Sequence, residues 1–210
     1  EAYWELALIL HRPLFEKILT DTQSGKRVML CAVIKTRGST PQSPGALLLV
    51  DEGMNTVGTL GGGCVEAEVR KRAFELLRKG KSSLLHFQLD HDYGWDDGLI
   101  CGGGMDVAAM PILSESDSAQ FKRILTAIDA GDSAFVSMRV LDGDALCEYK
   151  VLIEAEPKLV IAGAGHVGAE LARLAVALEF DVTVIDDRAD CANADRLPPP
   201  IRILVGDIEQ

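Results

Sequence analysis

Residues Val160-Ile161-Ala162-Gly163-Ala164-Gly165-His166-Val167-Gly168 restrict the fold of this 210-residue chain more than any other stretch. A short apolar strand breaks directly into GxGxxG and then into helix-forming sequence. The glycine pattern alone is a weak signal. Here it is followed by a second strand, Val182-Thr183-Val184-Ile185, that ends in Asp186. The separation of Gly163 from Asp186 is close to the roughly 20 residues of a dinucleotide fingerprint. In such a fingerprint Gly163 permits the tight turn, Gly165 the approach of a pyrophosphate, and Gly168 the packing of helix on strand. Asp186 would bind ribose hydroxyls and disfavour a 2′-phosphate, while Arg188 acts in the opposite sense. The competing reading is a Rossmann half that holds no nucleotide. His166, inside the loop, either touches an anion or faces solvent.

The helix after this loop carries Val167, Leu171, Leu174, Ala175 and Leu178 as its apolar positions; a strand, a short helix and a third strand from Ile201 to Val205 follow. That makes one βαβαβ half, where a complete dinucleotide domain has two. Either the chain is truncated or a partner completes the sheet, and the exposed sheet edge favours a homodimer. A boundary is expected at Ala155-Glu156-Pro157, dividing the chain into residues 1–155 and 156–210. Upstream, an amphipathic helix from Trp4 to Leu19, interrupted by Pro13, precedes strands at Val28–Lys35, Ala46–Val50 and Thr56–Leu60. A helix then runs through Val65, Val69, Ala73, Leu76 and Leu77 to Gly80. A strand from Ser83 to Leu89 leads into an acidic, turn-rich stretch from Asp90 to Gly98. Beyond it come a strand at Met105–Leu113, a helix at Ala119–Ala130 stopped by Gly131, and a hairpin across Asp142-Gly143-Asp144. The fold class is α/β: an N-terminal mixed α/β domain followed by a partial Rossmann-like βαβαβ unit.

Lys and Arg total 21 against 32 Asp and Glu, a net charge of -11 that repels nucleic acid and anionic membrane alike. No apolar stretch approaches a membrane span, and no signal-peptide pattern opens the sequence. The five cysteines form no CxxC pair and no zinc-type His/Cys cluster, which suits reduced thiols in a cytoplasm.

Two upstream loops pair a cysteine with three glycines. Gly61-Gly62-Gly63-Cys64-Val65-Glu66 joins a strand to a helix. Its bare backbone lets a ligand approach, and the first-turn N–H groups form an anion site. Cys64 sits at that positive helix end, where thiolate is favoured, and Glu66 is near enough to accept a proton or hold a ligand N–H. The plainer reading is a tight turn with Cys64 as a small filler. Cys101-Gly102-Gly103-Gly104 has the reverse order. If the two loops converge, Cys64 and Cys101 suit a soft metal with anionic oxygen ligands, or a persulfide; otherwise they are two independent buried cysteines. Between β-like segments, Thr36 to Gly45 offers hydroxyls on Ser39 and Thr40 and the planar fork of Arg37 for phosphate or carboxylate, unless it is an ordinary Ser/Pro loop. Cys31, Cys147 and Cys191 read as fillers, and His11, His86 and His91 have no evident partner.

The segments RGSTPQSPGALLLV, GTLGGGCVEAEV, DDGLICGGGMDV and LVIAGAGHVGAELARLA followed by VTVIDDR, in this order, resemble the XdhC/CoxI family of accessory factors for molybdenum hydroxylases. The resemblance covers most of the chain. It implies binding of the molybdenum cofactor (molybdopterin, a pterin dithiolene with an anionic phosphate), protection while the terminal sulfur is installed, and delivery into an apo molybdenum hydroxylase of the xanthine dehydrogenase type. A cysteine desulfurase would be the sulfur source. The Gly61–Cys64, Cys101–Gly104 and Ser39–Gly45 segments would form the cradle, with Cys64 or Cys101 at the metal. This makes the chain a cofactor chaperone rather than a metabolic enzyme. The alternatives are an NAD-dependent oxidoreductase using Cys64 and Glu66, with NAD or another nucleotide at the Rossmann-like unit, and a sulfurtransferase carrying a persulfide on Cys64.

Overall fold

The computed structural model describes residues 11–89, 102–155, 157–178 and 180–207; the acidic stretch from Asp90 to Gly98, His91 and Cys101 therefore lie outside the described residues. The chain divides into two compact units, one ending at Glu154 and the other beginning at Ala155.

The first unit is built around β1 (Val28–Arg37), whose first six residues are all apolar and all buried. Side chains alternate along a strand. Val28, Leu30 and Ala32 therefore join one core, and Met29, Cys31 and Val33 join another on the opposite face. β2 (Leu47–Asp51), β3 (Thr56–Gly58), β4 (Ser83–Gln88) and β5 (Gly104–Ile112) complete an antiparallel sheet in the order β3-β2-β1-β5-β4. Two apolar faces need two covers. One is supplied by α1 (His11–Gln23), α3 (Glu115–Ala130) and the hairpin of β6 (Ala134–Asp142) with β7 (Ala145–Ile153). The other is α2 (Gly63–Lys79), which buries Val65, Val69, Ala73 and Leu77 on a single stripe. Burial of a side chain such as Val69 or Leu77 stabilises by about 1.5–3 kcal/mol. Gly80 closes α2 in the left-handed conformation, donating its N–H to Leu76 and Leu77 carbonyls.

Two helix boundaries differ from the sequence reading. α1 does not stop at Leu19 but continues to Gln23, because its late polar residues are satisfied inside the fold. Asp21 pairs with Lys17 at 2.7 Å, and the Thr22 hydroxyl reaches Ile18 carbonyl oxygen at 2.8 Å and Ser118 Oγ at 3.1 Å. Pro13 lies within this helix rather than dividing it from the residues that follow. α3 begins at Glu115, four residues before Ala119, because Ser114 caps it. Asp117 completes the arrangement by accepting from Leu113 N at 3.0 Å and Ser114 Oγ at 2.9 Å. Ser114-Glu115-Ser116-Asp117 is a legible capping signal.

His11 stacks on Phe15, and Phe15 stacks on Phe121. Its Nε2 is buried without a hydrogen-bond partner among the described residues. Burial disfavours the imidazolium and pushes the pKa down to about 4 from 6.5. The unfolded chain takes up this proton more readily, so stability is full above the unfolded pKa and is lost as pH falls toward the folded one. Between about pH 7 and pH 5 this single group removes about 2 kcal/mol. Thermal melts across that interval should show a shallower loss for His11→Phe than for the wild type; parallel curves would remove His11 as the cause.

In the second unit β8 (Lys158–Ala162), β9 (Asp181–Asp186) and β10 (Arg202–Val205) run parallel in the order β10-β9-β8, with α4 (His166–Ala177) between the first two. The helix packs through Ala169, Ala172 and Ala175 against Ile161, Val182 and Val184. The larger Val167, Leu171, Leu174 and Leu178 are exposed. The apolar period of the sequence thus points to the wrong side of this helix. Small side chains let α4 approach the sheet closely, and the leucine stripe falls opposite. The short helix expected between β9 and β10 is not present among the described residues. That segment is turns, with isolated bonds such as Ala192 N to Arg188 O and Leu197 N to Asn193 O, and Pro198-Pro199-Pro200 cannot extend a helical ladder. No described helix is long and apolar enough to cross a membrane.

Candidate functional site

Antiparallel pairing determines where the loops of the first unit emerge. β1 ends, β2 begins, β3 ends, β4 ends and β5 begins at one end of the sheet, as the registers Lys35↔Asp106, Arg37↔Gly104, Gln88↔Gly104 and Leu48↔Gly58 require. The loop after β1, the Gly61-Gly62-Gly63 turn into α2 and the Gly102-Gly103 approach to β5 are consequently neighbours. Contacts make the arrangement concrete. Ser39 forms an isolated parallel bridge with Gly102. Gly103 is so closely applied to the loop that a Cβ there would overlap the Ser39 carbonyl oxygen and lie 2.6 Å from that of Arg37. On the other side, a Cβ on Gly61 would come within 2.5 Å of Pro41 Cβ. One loop, from Gly38 to Gly45, is therefore clasped between the two glycine segments.

Gly61, Gly62 and Gly63 all have positive φ (100°, 72° and 64°), a backbone path that side chains resist. The path brings N–H groups inward to Glu66. Glu66 Oε2 accepts from Thr59 Oγ1 at 2.8 Å, Leu60 N at 2.9 Å and Gly62 N at 3.2 Å. Thr59 Oγ1 also accepts from Gly61 N at 3.1 Å. The carboxylate thus organises the turn and places a fixed negative charge at the start of α2. Cys64 is the second residue of α2 and is half-buried. Cys101 is outside the described residues, but its neighbour Gly102 belongs to the clasp. Thr40 Oγ1 donates within its own loop, to Gln42 O at 3.0 Å. Arg37 turns across Gly104 to Gln88 Oε1 at 3.1 Å.

Arg37 also borders a cleft of about 300 Å³ that Lys35, His86, Gln88 and Asp106 share. His86, for which no partner was expected, has two: its Nδ1 is 2.7 Å from Asp106 Oδ1 and its Nε2 is 3.3 Å from Asp142 Oδ1. Hydrogen bonds to Asp106 and then Asp142 raise its pKa. These partners lie 20 and 56 residues away in sequence, so only the pairing of β4 with β5 and the position of the hairpin bring them together. Among the described residues no group of three or more His, Cys, Asp or Glu side chains could hold a metal ion. Cys31 is buried, and burial raises its pKa to about 12. Cys147 and Cys191 are half-buried.

In the second unit Gly163 has a φ of 111° and donates to Ile185 O at 2.7 Å. Gly165 caps α4, and open space surrounds the position a Cβ would take. A Cβ on Gly168 would overlap the Gly163 carbonyl oxygen. Asp186 is buried and its carboxylate is fully engaged within the chain. Oδ2 accepts from Ala164 N at 2.6 Å and Arg188 Nη2 at 2.9 Å, while Oδ1 accepts from Arg188 N and Nε, each at 2.9 Å. The Arg188 side chain, then its N–H and that of Ala164, hold the carboxyl pKa well below its usual range. Asp186 thus ties β9 to the glycine loop, and Arg188 covers the oxygens that a ribose would use.

Comparison with known proteins agrees with this two-unit organisation. Residues 22–88 match the XdhC and CoxI family, and residues 159–203 match the XdhC Rossmann domain. The uncharacterized protein YqeB of Escherichia coli (strain K12) is 27% identical over 83% of this chain and 25% of its own length. The molybdenum cofactor insertion chaperone PaoD of the same organism is 25% identical over 84% of this chain and 58% of its own. A probable xanthine dehydrogenase subunit of Bacillus subtilis (strain 168) is 23% identical over 94% of this chain and 70% of its own. The chain thus spans a quarter of the first relative and little more than half of the second. A crystal structure described as a xanthine dehydrogenase from Bacillus halodurans has the same fold, with a TM-score of 0.74 at 22% identity over 93% of this chain and 68% of that one. Both characteristic domains follow in order on one polypeptide whose fold agrees with that structure, and the protein belongs to the XdhC and CoxI family.

Proposed function

We propose that this protein carries the molybdenum cofactor and hands it to a molybdenum hydroxylase of the xanthine dehydrogenase type. The observation that carries the reading is the convergence of Gly61–Cys64 and Gly102–Gly103 on a single loop at one end of the sheet. Gly62, Gly63 and Gly102, with nothing within 4 Å of their Cβ positions, leave bare backbone beside that loop, which suits a flat, polar heterocycle gripped by peptide groups without side-chain interference. Cys64, half-buried beside the nest, is the described thiol best placed to face a soft metal or to pass sulfur to it. The family, and the name of the relative PaoD, support the same direction. Sulfuration with a cysteine desulfurase and assembly as a homodimer belong to this proposal as its finer parts. The dehydrogenase reading gains nothing from the second unit, because Arg188 already holds the Asp186 carboxylate.

Molybdenum content and pterin fluorescence should be measured on wild type, Cys64→Ala and Cys101→Ala after loading, followed by reactivation of an apo-hydroxylase. Cys64→Ala should retain little metal and restore little activity. Equal loading in all three would remove both thiols from the site, and no loading of the wild type would end the carrier reading.

A further inference from the structure

The glycine nest and the basic cleft are adjacent. Gly104 follows Gly102-Gly103 and floors the cleft, and a Cβ there would crowd Arg37 Nη2 at 3.4 Å and Phe87 O at 3.4 Å. Cross-strand pairing places Lys35 and His86 opposite Asp106, and Arg37 and Gln88 opposite Gly104, so these side chains share one face of the sheet. Lys35 and Arg37 have no ion-pair partner among the described residues, and the bond from Arg37 to Gln88 is to a neutral amide. His86 lies between two carboxylates. When it is protonated, the cluster of Lys35, Arg37, His86, Asp106 and Asp142 carries an excess of one positive charge, within a chain whose net charge is -11. In the first unit the start of α2 is another place where an anion could be held, and there Glu66 already accepts from Leu60 and Gly62 and adds a negative charge.

We propose that the cleft between β1, β4 and β5 is a phosphate-monoester subsite, in which Lys35 and Arg37 grip the phosphate of the pterin cargo while the glycine nest holds its ring and sulfur end. This assignment rests on the carrier reading above. It divides the ligand by chemistry: the dianion goes to paired cations with a planar guanidinium fork, and the soft, less charged end goes to the turn that already contains a carboxylate. Gln88 holds the guanidinium across the cleft floor in the free protein, so less side-chain freedom is lost on binding.

The test has two arms on the full chain. In the first, inorganic phosphate is titrated while the His86 ring resonances are followed by NMR. A saturable shift is expected in wild type, with roughly tenfold weaker binding in Arg37→Gln and in Lys35→Gln. Arg123→Gln, on α3, should bind as wild type, and melting temperatures confirm that all three variants fold. In the second arm, pterin fluorescence compares retention of molybdopterin with that of its dephosphorylated form. Wild type should retain the phosphorylated form better, and Arg37→Gln should erase the difference. No His86 shift, or equal affinity in wild type and both cleft variants, would overturn the subsite. So would equal retention of the two pterins by a protein that loads both, and the carrier reading would then survive. Phosphate bound at the cleft with neither pterin retained would instead sink the carrier reading and leave an oxyanion site.

Discussion

Gly103→Ala should be among the most damaging single-methyl additions in the first unit, lowering its stability by about 3 kcal/mol, with loss of cofactor loading. The added carbon would overlap the Ser39 carbonyl oxygen and press on the Arg37 carbonyl, 2.6 Å away. Both neighbours are backbone, so no rotamer change relieves the clash. Either the Gly38–Gly45 loop lifts away or β5 shifts against β1, and each opens the clasp. Gly102→Ala is the control. Nothing lies within 4 Å of its Cβ position, so only its φ of 62° opposes alanine, at about 1 kcal/mol. Thermal melts of the two variants check the difference, and equal losses would show that close packing of Gly103 is not what seats the loop.

Gly168→Ala should unfold the second unit while the first melts as before. Its Cβ would overlap the Gly163 carbonyl oxygen, with Ile161 Cγ2 at 3.5 Å on the same side. α4 would have to move away from β8, and its alanine face makes most of the helix contribution to that core. A loss of about 3 kcal/mol or more is expected in a unit this small. Amide hydrogen exchange should show protection vanishing from residues 158–205 alone. Gly165→Ala should leave protection almost unchanged, since its φ of -65° is ordinary and the surrounding space is open. If both variants behaved alike, the packing role of Gly168 would be wrong.

Periodicity locates most elements because their burial is one-sided or complete. The uninterrupted apolar run of β1 and the Val65–Leu77 stripe of α2 leave little freedom. It misjudges α4 because leucine is the stronger hydrophobic signal, yet close helix-on-sheet packing selects alanine. It ends α1 early because Asp21 and Thr22 look like surface residues until Lys17 and Ser118 are found beside them. At the site, the glycine segments are visible as composition, whereas the loop clasped between them is not. Contacts such as Pro41 with Gly61 are set by strand order, which no local spacing encodes. The His86–Asp106–Asp142 cluster is invisible for the same reason, being assembled from three strands.

The clasp also determines how this surface can diversify among descendants of a common ancestor. Pro41 and Gly61 meet at van der Waals limits, as do Ser39 and Gly103, so a bulkier residue on one side demands retreat on the other. Substitutions there must arrive as compensated sets. Loop exchange between distant members should therefore succeed only when all three segments are transplanted as one cassette.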